Sequence, residues 1–143
     1  MLAATVQVPL SERNFGTGRK ITTDNWFTSF DPVKFLLVKD ITIVGTVRKN
    51  KREIPTGFIT TTQRADCSSI FVFREDRTLV SYAPTNKKNV LLISTMHHDA
   101  AIDNHTGNWN KPEIVTFYNS TKGGVDVMDK LCATYNTIRN CRL

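Results

Sequence analysis

Asp24 closes the short β-prone run Ile21-Thr22-Thr23, and Asp126 and Asp129 stand three residues apart where an apolar helical stripe begins. Carboxylates gathered from distant chain segments are how proteins hold Mg²⁺ or Mn²⁺ for phosphodiester chemistry, because hard cations take oxygen ligands. The i, i+3 spacing puts Asp126 and Asp129 on one helix face. A plainer reading needs no metal. Acids in the first turn of a helix offset its dipole by about 0.3–1 kcal/mol, and an Asp at a strand end opens a turn through its short side chain. Spacing leaves both readings open, and it does not bring Asp24 to Asp126.

Four cations, Arg48, Lys49, Lys51 and Arg52, fall within five positions just after a second β-prone run. Such a group can track a phosphate backbone, where each neutralised phosphate releases counterions and makes affinity salt-dependent. A solvated strand exit is the alternative. His97-His98-Asp99 has metal-ligand residue types, but adjacent histidines on a strand point to opposite faces, and His105 is the only other histidine. A zinc site is therefore not expected. Trp26 and Trp109 are read as packing residues rather than base-stacking platforms, although Trp109 lies in a polar loop. Neither GxxxxGK[ST] nor GxGxxG occurs, and Gly123-Gly124 is too sparse for a phosphate cradle. Cys132 sits on the apolar stripe, the usual place of a buried thiol rather than a nucleophile.

Those residues must be positioned by a chain of 143 residues, for which one domain is the default. A hydrophobic fraction of 40% can supply a core, and a charged fraction of 22% is unlike a disordered chain. The net charge of +6 favours an anionic partner, nucleic acid among them. Cys67, Cys132 and Cys141 are odd in number and show no CxxC spacing, so neither a disulfide framework nor a zinc site follows. A reducing compartment, cytosol or nucleus, is the simpler expectation. No apolar run approaches the ~20 residues of a membrane span, and the first residues lack the basic start and long apolar core of a signal peptide.

Along the chain, Val6, Val8 and Leu10 alternate like a strand, but Pro9 interrupts them. Asn14-Phe15-Gly16-Thr17-Gly18 has turn composition. A helix follows Asp24, with Ser29 or Asp31 as cap, Pro32 in its first turn, and Val33, Leu36 and Leu37 on one face. Residues 41–47 then alternate at period two and predict a strand. Strand, helix, strand with an acid at the first exit is the pattern of an open α/β sheet, whose sites gather at the carboxyl ends of strands. Residues 53–112 have the texture of a β-rich insertion. A hairpin is expected for 70–73 and 78–82 around Arg74-Glu75-Asp76-Arg77, with a further strand at 90–95 and a loop at 103–108. Residues 114–118 suggest a last strand or an extended lead into the helix that starts near Gly124. Val125, Met128, Leu131, Cys132, Tyr135 and Ile138 form the stripe of that helix. The fold class is α/β, with core segments at 1–52 and 113–143.

Taken as whole strings, three motifs say more. They are Asp24-Asn25-Trp26-Phe27-Thr28-Ser29, then Thr42-Ile43-Val44-Gly45-Thr46-Val47-Arg48-Lys49-Asn50-Lys51-Arg52-Glu53-Ile54-Pro55, then Tyr118-Asn119-Ser120-Thr121-Lys122-Gly123-Gly124-Val125-Asp126-Val127-Met128-Asp129. In that order they resemble the piggyBac transposase family, from about Gly18 to Arg142. The resemblance implies a partial ribonuclease-H-like (DDE transposase) core with a β-rich insertion. It implies a two-metal Mg²⁺ or Mn²⁺ site that cuts DNA at transposon ends and joins it to TTAA targets, in the nucleus, with a homodimer as the assembly of the full-length family. By motif, Asp24 resembles the second catalytic carboxylate and Asp126 the third, both as metal ligands, and Asp129 a further acid of the same helix. Arg48, Lys49, Lys51, Arg52 and Lys122 would contact DNA. The family's first catalytic Asp lies on a core strand upstream of anything matched here, and its later helix and cysteine-rich end-binding module find no counterpart. The expectation is a fragment whose metal site is incomplete and which does not cut DNA alone. The alternative is a domesticated or degenerate DNA- or protein-binding module without catalysis.

Overall fold

A computed structural model describes residues 12–25, 28 and 30–134, and places five strands in one sheet of order β1-β2-β5-β4-β3. The strands are β1 (Lys20–Thr23), β2 (Thr42–Thr46), β3 (Ser68–Phe73), β4 (Thr78–Thr85) and β5 (Lys88–Ser94). The helices are α1 (Phe30–Val38), the single turn α2 (Thr56–Ile59), α3 (Glu113–Thr121) and α4 (Gly123–Thr134). The alternating segment 6–10 and the end of the α4 stripe, Tyr135 and Ile138, lie outside the described residues.

β1 and β2 run parallel, with Thr23 opposite Gly45. A parallel pair needs a crossover, and α1 supplies it. Its Val33 and Leu36 are fully buried against Ile41, Ile43, Leu91 and Ile93, as the sequence pattern predicts. The helix is closed by Asp40, whose φ of 57° is left-handed. Asp40 N–H donates to Leu37 C=O and Ile41 N–H to Leu36 C=O, both at 3.0 Å. These two bonds are a Schellman closure, and they turn the chain directly into β2.

Strands β3, β4 and β5 form an antiparallel meander, and β5 pairs antiparallel with β2. The expected hairpin around 74–77 is present, closed by Arg74 N–H to Arg77 C=O at 2.8 Å. One sheet therefore continues from the 1–52 segment through the β-rich 53–112 segment. Pleating sends alternate side chains to opposite faces. Ile43 and Leu91 meet α1, while Val44, Val80, Tyr82 and Leu92 meet α3.

Residues 114–118 are helical, not extended. Ile114-Val115-Thr116 is a β-branched run, which misleads propensity reasoning. Yet Ile114 and Val115 are adjacent and both buried, with Tyr118 packed beside them. Consecutive burial followed by i+4 is a helical face. Pro112 precedes the helix and Glu113 sits in its first turn, both favourable at an N-terminus. Residues 104–109, expected as loop, form a 3₁₀ segment broken at Gly107, with Asp103 accepting from the His105 N–H at its start.

Candidate metal and nucleic-acid site at the strand exits

Parallel pairing puts the exits of β1 and β2 at the same end of the sheet, so Asp24 emerges beside Thr46 and the basic run. The backbone after β1 is held by a compact turn. Thr28 donates to the Asp24 carbonyl from its N–H at 3.1 Å and from its hydroxyl at 2.7 Å. The Thr23 and Thr28 hydroxyls are 2.7 Å apart, and Thr28 is only 1% exposed. This turn sits directly on Gly45. A Cβ there would come within 2.6 Å of the Thr28 hydroxyl and 2.8 Å of the Thr23 carbonyl. Gly45 is thus a close-approach glycine in the middle of an apolar strand.

The helical half of the site arrives on the other face. Lys122 links α3 to α4 in right-handed helical conformation. Its N–H donates to Tyr118 C=O at 2.9 Å, and its carbonyl accepts from the Asp126 N–H at 3.1 Å. The first turn of α4 therefore grows off the end of α3 with little slack. Thr22, on the α3 face of β1, donates from its hydroxyl to Thr121 Oγ1 at 2.8 Å. That bond ties the strand carrying Asp24 to the helix junction carrying Asp126. Asp24 is partly buried and Asp126 is exposed in the first turn of α4. Asp129 lies one turn along α4, and its side chain is outside the described residues. Leu131, expected on a packed stripe, is 47% exposed among the described side chains of α4.

Carboxylate oxygens suit a hard divalent cation, so the donor chemistry of Asp24 and Asp126 fits one. Among the described residues no group of three His, Cys, Asp or Glu could hold an ion, so two described acids supply part of a donor set. His97 is engaged otherwise. Its Nδ1 lies 2.8 Å from Ser94 Oγ, and its ring stands edge-on to Phe117 at 5.4 Å.

Arg48, Lys49 and Arg52 are exposed, and Lys51 is partly buried. Arg48 and Lys49 line a hollow of about 460 Å³ with Asn25, the residue after Asp24. Lys122 lines a second hollow of about 410 Å³ on the α3 face. Thr46 and Val90 border both. Trp109 borders the second and is 55% exposed, so it is not a packing residue. Thr22, Thr23, Thr28 and Thr121 and the close approach at Gly45 carry no motif that marks them in the sequence. The lone glycine inside a strand pattern was the one available signal.

A mixed sheet with acids at a strand exit and a helix start defines a class, and comparison with known proteins names it. A family model described as Transposase IS4 matches residues 4–142, and the chain belongs to that family of DDE transposases. Within it, the chain is of the piggyBac type. It is 44% identical to the piggyBac transposase in a cryo-EM structure of its synaptic complex with hairpin DNA, with a TM-score of 0.80. The match covers 92% of this chain and 27% of that one. The fold is therefore the ribonuclease-H-like DDE fold. DDE transposases use divalent metal ions and act on DNA. No helix among the described residues is long and apolar enough to cross a membrane.

Proposed function

We propose that this chain is the part of a piggyBac-type transposase that carries two of its catalytic carboxylates, Asp24 and Asp126, and grips DNA beside them. The observation that carries the reading is the Thr22–Thr121 hydrogen bond of 2.8 Å, which joins the two acid-bearing segments. Asp24 and Asp126 would hold Mg²⁺ or Mn²⁺, with Asp129 assisting from the next turn. Held there, such ions would supply electrostatic stabilisation for phosphodiester chemistry. The chain's own contribution is positional. The Thr23–Thr28–Gly45 contact fixes the Asp24 backbone, and the α3–α4 junction fixes the start of the helix bearing Asp126. Cutting at transposon ends, joining to TTAA, nuclear action and dimerisation are proposed for the whole protein, of whose relative this chain spans about a quarter. Residues 53–112 would be the β-rich insertion of that catalytic domain. A DNA-binding module without catalysis is the second reading, supported by the partial donor set among the described residues.

DNA binding gives the direct test. Arg48, Lys49, Lys51, Arg52 and Lys122 should contribute sequence-tolerant affinity that falls steeply with salt. Replacing Arg48, Lys51 and Arg52 by Ala should reduce the slope of log Kd against log salt by about 2–3 for duplex DNA, close to one counterion for each phosphate no longer neutralised. An unchanged slope would leave the run as a solvated strand exit.

A further inference from the structure

Trp109 presents a cost that the fold does not require. The residue is 55% exposed, yet the loop carrying it is held by several hydrogen bonds. Asp103 N–H donates to Lys111 C=O at 2.9 Å, Lys111 N–H to Thr106 Oγ1 at 3.0 Å, and Asn110 N–H to Gly107 C=O at 3.1 Å. Asn110 accepts a left-handed φ of 42° to close the turn. From the sheet, the Tyr82 hydroxyl donates to the Trp109 carbonyl at 2.6 Å. Burial first, then Cys67, pushes the Tyr82 pKa up to about 12, so the phenol keeps the proton it donates. A large aromatic is thus held rigidly in solvent, where its exposure is unfavourable unless something covers it.

What surrounds the ring says what would cover it. Lys111 Nζ stands 5.7 Å from its centroid. Trp109 and Lys111 face Tyr118, Asn119 and Lys122 across the 410 Å³ hollow, and no acid lines it among the described residues. That volume is within the ~300–1,000 Å³ range of small-ligand sites. The hollow meets the Asn25–Arg48–Lys49 hollow at Thr46 and Val90. Arg48 and Lys49 line the one and Lys111 and Lys122 the other, so cations border both hollows between the exit bearing Asp24 and the exposed indole. Aromatic surface flanked by cations, with no acid between them, suits a base and its phosphates. A base can stack on a side chain only when it has left the duplex.

We propose that this groove binds an unpaired DNA nucleotide, its base on Trp109 and its phosphates at Lys111 and Lys122, next to the candidate metal site. The proposal rests on the DNA-handling reading above but can fail separately from it. The test is anisotropy of labelled oligothymidine and of a blunt duplex of equal length, with the whole 143-residue chain. Trp109→Ala should weaken oligothymidine binding about tenfold, Trp109→Phe should restore most of it, and duplex binding should change less than about twofold. Lys122→Gln should weaken binding of both DNAs, with a shallower salt dependence. Equal loss for single strand and duplex in Trp109→Ala, or no loss in either, would overturn the proposal. Duplex binding with no oligothymidine binding by the parent would overturn it too and leave the DNA reading intact. Binding of neither would remove both.

Discussion

At the scale of single residues, His97 shows how packing sets chemistry. Burial beside Phe117 holds its imidazole below the ordinary value of 6.5. Glu113 and Asp99 oppose that shift, while Lys20 and His98 reinforce it. The folded pKa therefore lies below the unfolded one, and protons bind the unfolded chain more readily. Its contribution to stability is complete above pH 6.5 and is lost as pH falls through 6.5 toward the folded value. Urea midpoints should drop as the solution is acidified below 6.5, and His97→Gln should flatten that drop. An identical pH profile in His97→Gln would assign the acid lability elsewhere. Of the candidate site, residue type and spacing singled out Asp24 and Asp126 as candidates but left turn and helix-dipole roles equally open, and the motif strings alone pointed to a shared role. The Thr22–Thr121 bond that connects their segments was not legible, since the two threonines are 99 positions apart. Nor was the exposure of Trp109, which depends on how the loop is pinned rather than on its composition.

At the scale of elements, the turn over Gly45 fixes the backbone at the exit that carries Asp24. Gly45→Ala would drive a methyl group into the Thr28 hydroxyl and the Thr23 backbone. A backbone oxygen cannot swing away as a side-chain tip can, so the turn or the β1–β2 register must give. The expected cost is about 1–3 kcal/mol, the usual range for overpacking, read from urea denaturation. The amide resonances of Asn25 and Thr28 should shift most. A variant of parental stability with those resonances unmoved would mean that the turn is not seated on the strand. Elements were readable where a pattern and its punctuation agreed. The crossover helix has its apolar face, with Asp31 inside its first turn rather than capping it and Ser29 outside the described residues, and the hairpin has its polar turn. Residues 114–118 were misread because a β-branched run fits both periods, and only adjacent burial separates them.

At the scale of the whole molecule, five strands in one sheet bring three chain segments to one end: the β1 exit, the β2 exit and the α3–α4 junction. Whole motif strings pointed to this fold more strongly than periodicity did, because they carry the order of the segments as well as their types. They could not show that strands β3–β5 extend the same sheet as β1 and β2, which depends on the β2–β5 pairing. Under the proposed function, Asp24 and Asp126 would share a divalent ion at that end. Paramagnetic broadening of amide resonances by Mn²⁺ tests it most directly. Asn25, Gly123, Gly124 and Asp126 should broaden first, and either Asp24→Asn or Asp126→Asn should abolish the effect. Broadening centred instead on His97, Asp103, His105 and Glu113, which line a separate hollow, or left intact by both substitutions, would contradict a shared ion at the strand exits.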